Sequence, residues 1–102
     1  VFGDPIRDFT YIDDITRGME QALLARAVGT YNLGANQPVS VRTLAERIGQ
    51  RFDVPVHTQA ARLGDVTMTW SDTTAAKIAF DYQPSIEIEV GLEQVIAWHQ
   101  NR

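Results

Sequence analysis

The chain has no cysteine among its 102 residues, which excludes disulfides and thiolate metal sites and makes a cytoplasmic location the expectation. Lysine occurs once, at Lys77, and no basic cluster offsets a net charge of −4. Nucleic acid is therefore not the expected partner. No apolar run approaches the roughly 20 residues that would span a membrane, and no signal-peptide pattern opens the chain, so no membrane partner is expected. The two histidines, His57 and His99, lie far apart with no acidic cluster at ligand spacing, so no metal site is expected. Internal repeats, low-complexity stretches and linkers are also missing.

What is present reads as one ordinary globular unit. Hydrophobic residues make up 44% and charged residues 22%, and a chain of this length is one domain at most. It begins at Val1, inside a strand-like pattern, and the expectation is a segment of a longer protein. Ile6, Asp8, Thr10 and Ile12 alternate with Arg7, Phe9 and Tyr11, as on the two faces of a strand. Asp13 and Asp14 suit a helix start, and Ile15, Met19, Ala22 and Leu23 form the apolar stripe of a helix running to about Arg26. Thr30 to Gly34 reads as a short strand with no strong neighbour in the chain. Ser40 caps a second helix with Val41, Leu44, Ala45, Ile48 and Phe52 on one face. A strand is expected at 54–58, then a loop at 60–66. Asp72 is placed as the cap of a short helix through Phe80, and Ser85 as the cap of the last helix. That helix carries Ile88, Leu92, Val95, Ile96 and His99 as its stripe, and Glu87 and Glu89 in its first turn. The fold class is α/β, a mixed α+β arrangement.

Two places carry residue types suited to binding. Arg7 stands beside two aromatics on one strand face, where its planar fork of donors can hold a phosphate-like anion. Arg62-Leu63-Gly64-Asp65-Val66 puts an arginine, a glycine and a carboxylate within four positions of a loop. Such a set suits a ribose diphosphate, with Arg62 on phosphate oxygens and Asp65 accepting from a vicinal diol. On spacing alone, an exposed edge strand and a solvated turn with an ion pair explain the same residues.

Arg7-Asp8-Phe9-Thr10-Tyr11-Ile12-Asp13-Asp14 resembles the Arg-Asp-Phe-x-Tyr-Val/Ile-x-Asp segment of the extended short-chain dehydrogenase/reductase family, the NAD-dependent nucleotide-sugar epimerases and dehydratases. Four further segments, in order, resemble that family. They are Tyr31-Asn32-Leu33-Gly34, the loop at Arg62 to Val66, Ser71-Asp72 with Phe80 to Pro84, and Gly91-Leu92 with Trp98. Asp81 departs from the pattern, which has glycine there, and Gly3-Asp4 approaches Arg7 more closely in sequence than is usual.

The resemblance implies the C-terminal, substrate-binding part of an extended Rossmann-type enzyme, residues 1–102 forming one unit. Residues 30–34 would join the parallel sheet of an N-terminal Rossmann domain that holds NAD and lies outside this chain. Arg7 and Arg62 would hold the pyrophosphate of a UDP-sugar, and Asp65 its ribose. The family's glycine-rich dinucleotide loop and its Tyr-x-x-x-Lys pair do not occur here, so no catalytic residue is assigned and the segment alone is expected to be inactive. Similarity is greatest to UDP-glucuronate 4-epimerases, then UDP-glucose 4-epimerases, then dTDP-glucose 4,6-dehydratases. A homodimeric parent is expected. A small binding module with no enzymatic parent is the other reading.

Overall fold

In the computed structural model, which describes residues 1–102, the chain forms four helices and a minimal two-stranded sheet. Strand β1 (Ile6–Arg7) is followed by α1 (Ile12–Leu24), β2 (Val39–Ser40), α2 (Val41–Phe52), α3 (Thr74–Phe80) and α4 (Ile88–Asn101). The strands pair antiparallel, Ile6 opposite Ser40 and Arg7 opposite Val39. Local chemistry explains several boundaries. Ser40 Oγ accepts the Thr43 amide at 3.2 Å and caps α2 as its sequence predicts. Asp72 accepts the Thr74 amide at 3.0 Å and starts α3, although Thr73 occupies the cap position itself. At the end of α3, Asp81 takes the left-handed conformation, φ 57°, in the place where the family pattern has glycine.

Other expectations are corrected. Helix α1 starts at Ile12, ahead of Asp13 and Asp14, so neither aspartate is its cap. Ser85 is not the cap of α4 either: that helix starts at Ile88 with Glu87 before it, and Ser85 bonds to Asp14 instead. The segments 30–34 and 54–58 form no strand. Tyr31–Gly34 has no ladder partner within the chain, and a strand exists only where a second strand completes it. Half of the apolar stripe expected on α1 is outward: Met19 is 61% and Leu23 78% exposed, while Ile15 and Ala22 are half-buried. No helix is long and apolar enough to cross a membrane.

The core lies between α1 and α3. Ala76, Phe80 and Tyr82 are buried there against Ala22, Ala27, Tyr31 and Leu33, and Tyr31 meets Phe80 edge to face at 5.2 Å. Gly18 is what lets α1 come so close, since a Cβ there would stand 2.9 Å from Leu33 and the Tyr82 ring. Only 10 of 102 residues are buried, and the molecule is a slab of 47 × 37 × 18 Å. Its radius of gyration of 15.9 Å exceeds the roughly 13 Å of a compact 100-residue domain. A slab this thin leaves one helix face without cover, and on α1 that face holds Met19, Leu23 and Leu24.

Candidate functional site

The segment 59–71 runs as a strap along the N-terminal residues. At one end Gly3 donates to Gln59 O and Gln59 to Val1 O, both at 2.7 Å. At the other, Ile6 donates to Thr67 O at 2.9 Å and Thr69 to Ile6 O at 3.0 Å. Residues 60–66 span the interval between these two anchors as a loop. Its turn is closed by the Asp65 amide on Arg62 O at 3.2 Å, and Gly64 adopts φ +89°, which a side chain would strain.

All three residues singled out in the sequence gather at this strap. Arg7 donates through Nη1 to Ile6 O at 2.8 Å and through Nη2 to Val66 O at 2.6 Å, one residue beyond Asp65. Arg62 Nε pairs with Asp65 Oδ2 at 3.0 Å, and its guanidinium lies 4.2 Å from the centroid of the Phe2 ring. Residues 61–70 are exposed throughout. Two guanidiniums, one carboxylate and an aromatic ring on an open edge can recognise an anion carrying a diol. At Arg7 a phosphate oxygen would replace a neutral carbonyl, and charge-assisted bonds are roughly twice as strong as neutral ones.

Directly beside Arg7 lies a residue that sequence reasoning left without a role. The Asp8 carboxylate accepts the Asn36 amide at 3.1 Å, the Gln37 amide at 3.2 Å, and both the amide and the hydroxyl of Ser71. It thereby joins the end of β1, the loop before β2 and the end of the strap. Burial works against its ionisation. The Ser71 hydroxyl and the three amides outweigh that cost and hold the carboxyl below its ordinary value. Nothing local could have signalled this, because the donors are 28, 29 and 63 positions away.

Asp14 is the second such carboxylate. It is fully buried and accepts the amides of Ser85 and Ile86 at 3.1 Å, while Arg17 pairs with it at 2.7 Å. Burial raises its pKa, but those amides and Arg17 lower it further, so the net direction is down. Arg17 also donates to Gln83 O at 2.7 Å. This cluster fixes the turn before α4 onto α1, and the Asp14 carboxylate itself has no exposed side for a ligand. Tyr82, buried close by, donates to Gly34 O at 2.7 Å, and burial with the charge of Asp14 pushes its phenol upward.

The largest cavity, about 580 Å³, separates α2 from α4. Nine of its eleven lining residues are hydrophobic, so a diphosphate would find no arginine or lysine there. His99 stands at this cavity, exposed rather than half-buried as its helical position suggests, with Phe52 edge-on at 6.5 Å.

No protein-family model matches the chain. Among curated proteins it is 34% identical over 103 residues to a UDP-glucuronate 4-epimerase of Thermodesulfobacterium geofontis, covering 96% of this chain and 32% of that protein. Among solved structures it matches an epimerase from Methanothermobacter thermautotrophicus with a TM-score of 0.89 and 29% identity, over 99% of this chain and 32% of the other. A mutant UDP-glucuronic acid 4-epimerase from Bacillus cereus, in complex with UDP-4-deoxy-4-fluoro-glucuronic acid and NAD, matches at 0.85 and 27%, over 99% of this chain and 34% of the other. The chain spans about a third of the length of each of these relatives.

Proposed function

We propose that this chain, a segment of an NAD-dependent epimerase of the extended short-chain dehydrogenase/reductase family, is its C-terminal substrate-binding part and holds the nucleoside-diphosphate end of a nucleotide sugar. The observation that carries the reading is the strap: its Val66 carbonyl is gripped by Arg7, and its turn presents Arg62 and Asp65. Arg7 and Arg62 would take the two phosphates, and Asp65 the ribose hydroxyls. Each charge-assisted bond contributes on the order of 1.5–3 kcal/mol once water is excluded. Binding so far from the reacting sugar carbon positions that carbon, which is how non-reacting groups raise a rate.

The residues of this chain do not fit NAD. Its single lysine, Lys77, has Thr73 four positions before it rather than tyrosine, and no glycine-rich turn leads a strand into a helix. Redox chemistry would belong to an N-terminal Rossmann domain, with which the uncovered side of the slab would pack. UDP-glucuronate is the substrate best supported, because proteins of that activity are among the curated relatives over nearly all of this chain. UDP-glucose is the second. Calorimetric titration of the full-length protein with UDP, UDP-glucuronate and UDP-glucose tests the reading. Saturable binding of UDP, tighter with one sugar attached, is expected. No binding of any of the three at millimolar concentration would remove the proposal.

A further inference from the structure

The Asp8 carboxylate serves neither a helix start nor an ion pair. Four donors from two other segments converge on it, and no cation is among them. Gly34 sits so close beneath this junction that a Cβ there would overlap the Ser71 hydroxyl. The geometry points to Asp8 as a positioning residue for nucleotide binding: it registers the strap 59–71 on β1 so that Arg7, Arg62 and Asp65 face one ligand. This inference rests on the binding role proposed above.

The strap's second anchor consists of two backbone bonds at Ile6 and the Asp8–Ser71 clamp just beyond them. Val66, whose carbonyl Arg7 grips, is the residue next to that anchor. If the clamp opens, Ser71, Asn36 and Gln37 lose an ionised acceptor together. The strap is then free to shift along β1, which carries Val66 away from Arg7 and the Arg62–Asp65 turn with it. While closed, the clamp also ties the strap to the loop that follows Tyr31–Gly34. Asp8 touches none of the groups proposed to meet the nucleotide, and its effect passes entirely through the strap.

Asp8→Asn in the full-length protein tests this, because asparagine keeps the size but turns an amide group toward donors. The dissociation constant for UDP is expected to rise about tenfold or more. In an Arg62→Ala background the same change is expected to cost less than in the wild type, because part of its effect passes through Arg62. Amide hydrogen exchange at Ile6 and Thr69 is expected to quicken about tenfold relative to amides in α2, with or without UDP. Unchanged exchange at those two amides overturns the proposal, as do retained UDP affinity or fully additive losses with Arg62→Ala. If the wild-type protein binds no UDP, the function proposed above fails, and exchange at Ile6 and Thr69 still decides whether Asp8 sets the strap. Should Asp8→Asn not fold, Ser71→Ala removes one donor from the same carboxylate and carries the same readouts at about threefold.

Discussion

Asp14 with Arg17 and Arg62 with Asp65 are both arginine–aspartate pairs three positions apart, with N–O distances of 2.7 and 3.0 Å. In the first, the carboxylate is fully buried and takes two backbone amides from the turn before α4. In the second, arginine and aspartate are 62% and 37% exposed, and their remaining donors and acceptors face water. Spacing and charge are the same, so environment alone separates an architectural pair from an exchangeable one. A buried charge that loses its partner stays buried and uncompensated. An exposed pair can trade its partner for a ligand at little cost.

The largest effect that follows from this contrast is on stability. Asp14→Ala in the full-length protein is expected to cost about 3 kcal/mol, at the low end for a buried pair because Arg17 reaches solvent. A denaturant midpoint unchanged within error would place Asp14 with the exchangeable kind. Next comes binding: Arg7→Ala is expected to weaken UDP by roughly 1.5–3 kcal/mol, and calorimetry giving wild-type affinity would remove Arg7 from the site. Acid sharpens the comparison further. Asp14 and Asp8 are both held below their ordinary values, so the stability they contribute is fully present above about pH 3.9 and is lost as pH falls through their folded values. The stability gap between wild type and Asp14→Ala is therefore expected to narrow in urea titrations taken well below pH 4. The smallest effect belongs to Asp65→Asn, with a stability change under about 0.5 kcal/mol. Its binding signature is selective, with a larger loss for UDP than for a 2′,3′-dideoxy analogue; equal losses would count against its ribose role.

Short-range features of the fold were legible in the sequence. Ser40 precedes an apolar helical stripe and has an amide three residues on to receive, so cap and helix follow from local chemistry. Helix α3 ends at Phe80 as its pattern indicates, and Asp81 tolerates the left-handed turn that glycine would otherwise supply. A strand and a loop of those compositions were each recognisable, and Arg7 on β1 reaches across to Val66 of the strap that carries Arg62 and Asp65. What stayed hidden depends on distant partners. Asp14 and Ser85 each look like a helix cap, and each instead completes the other across 71 positions. Tyr31–Gly34 has a strand's composition, but its backbone finds no neighbour in this chain. The outward stripe of α1 has the periodicity of a core face, and periodicity says nothing of whether the matching surface lies in the same segment.

Asp14 bonds across 71 and 72 positions to Ser85 and Ile86, Asp8 across 63 to Ser71, and Tyr82 across 48 to Gly34. These clasps each close a loop of about half the chain or more, and each closure consumes chain entropy before any bond rewards it. A molecule built mainly of helices should therefore fold with the slowness usual for non-local topologies, its helices flickering in and out until the clasps shut. Weakening Asp14 should then show itself mainly as faster unfolding, with the folding rate almost untouched, because its bonds form late.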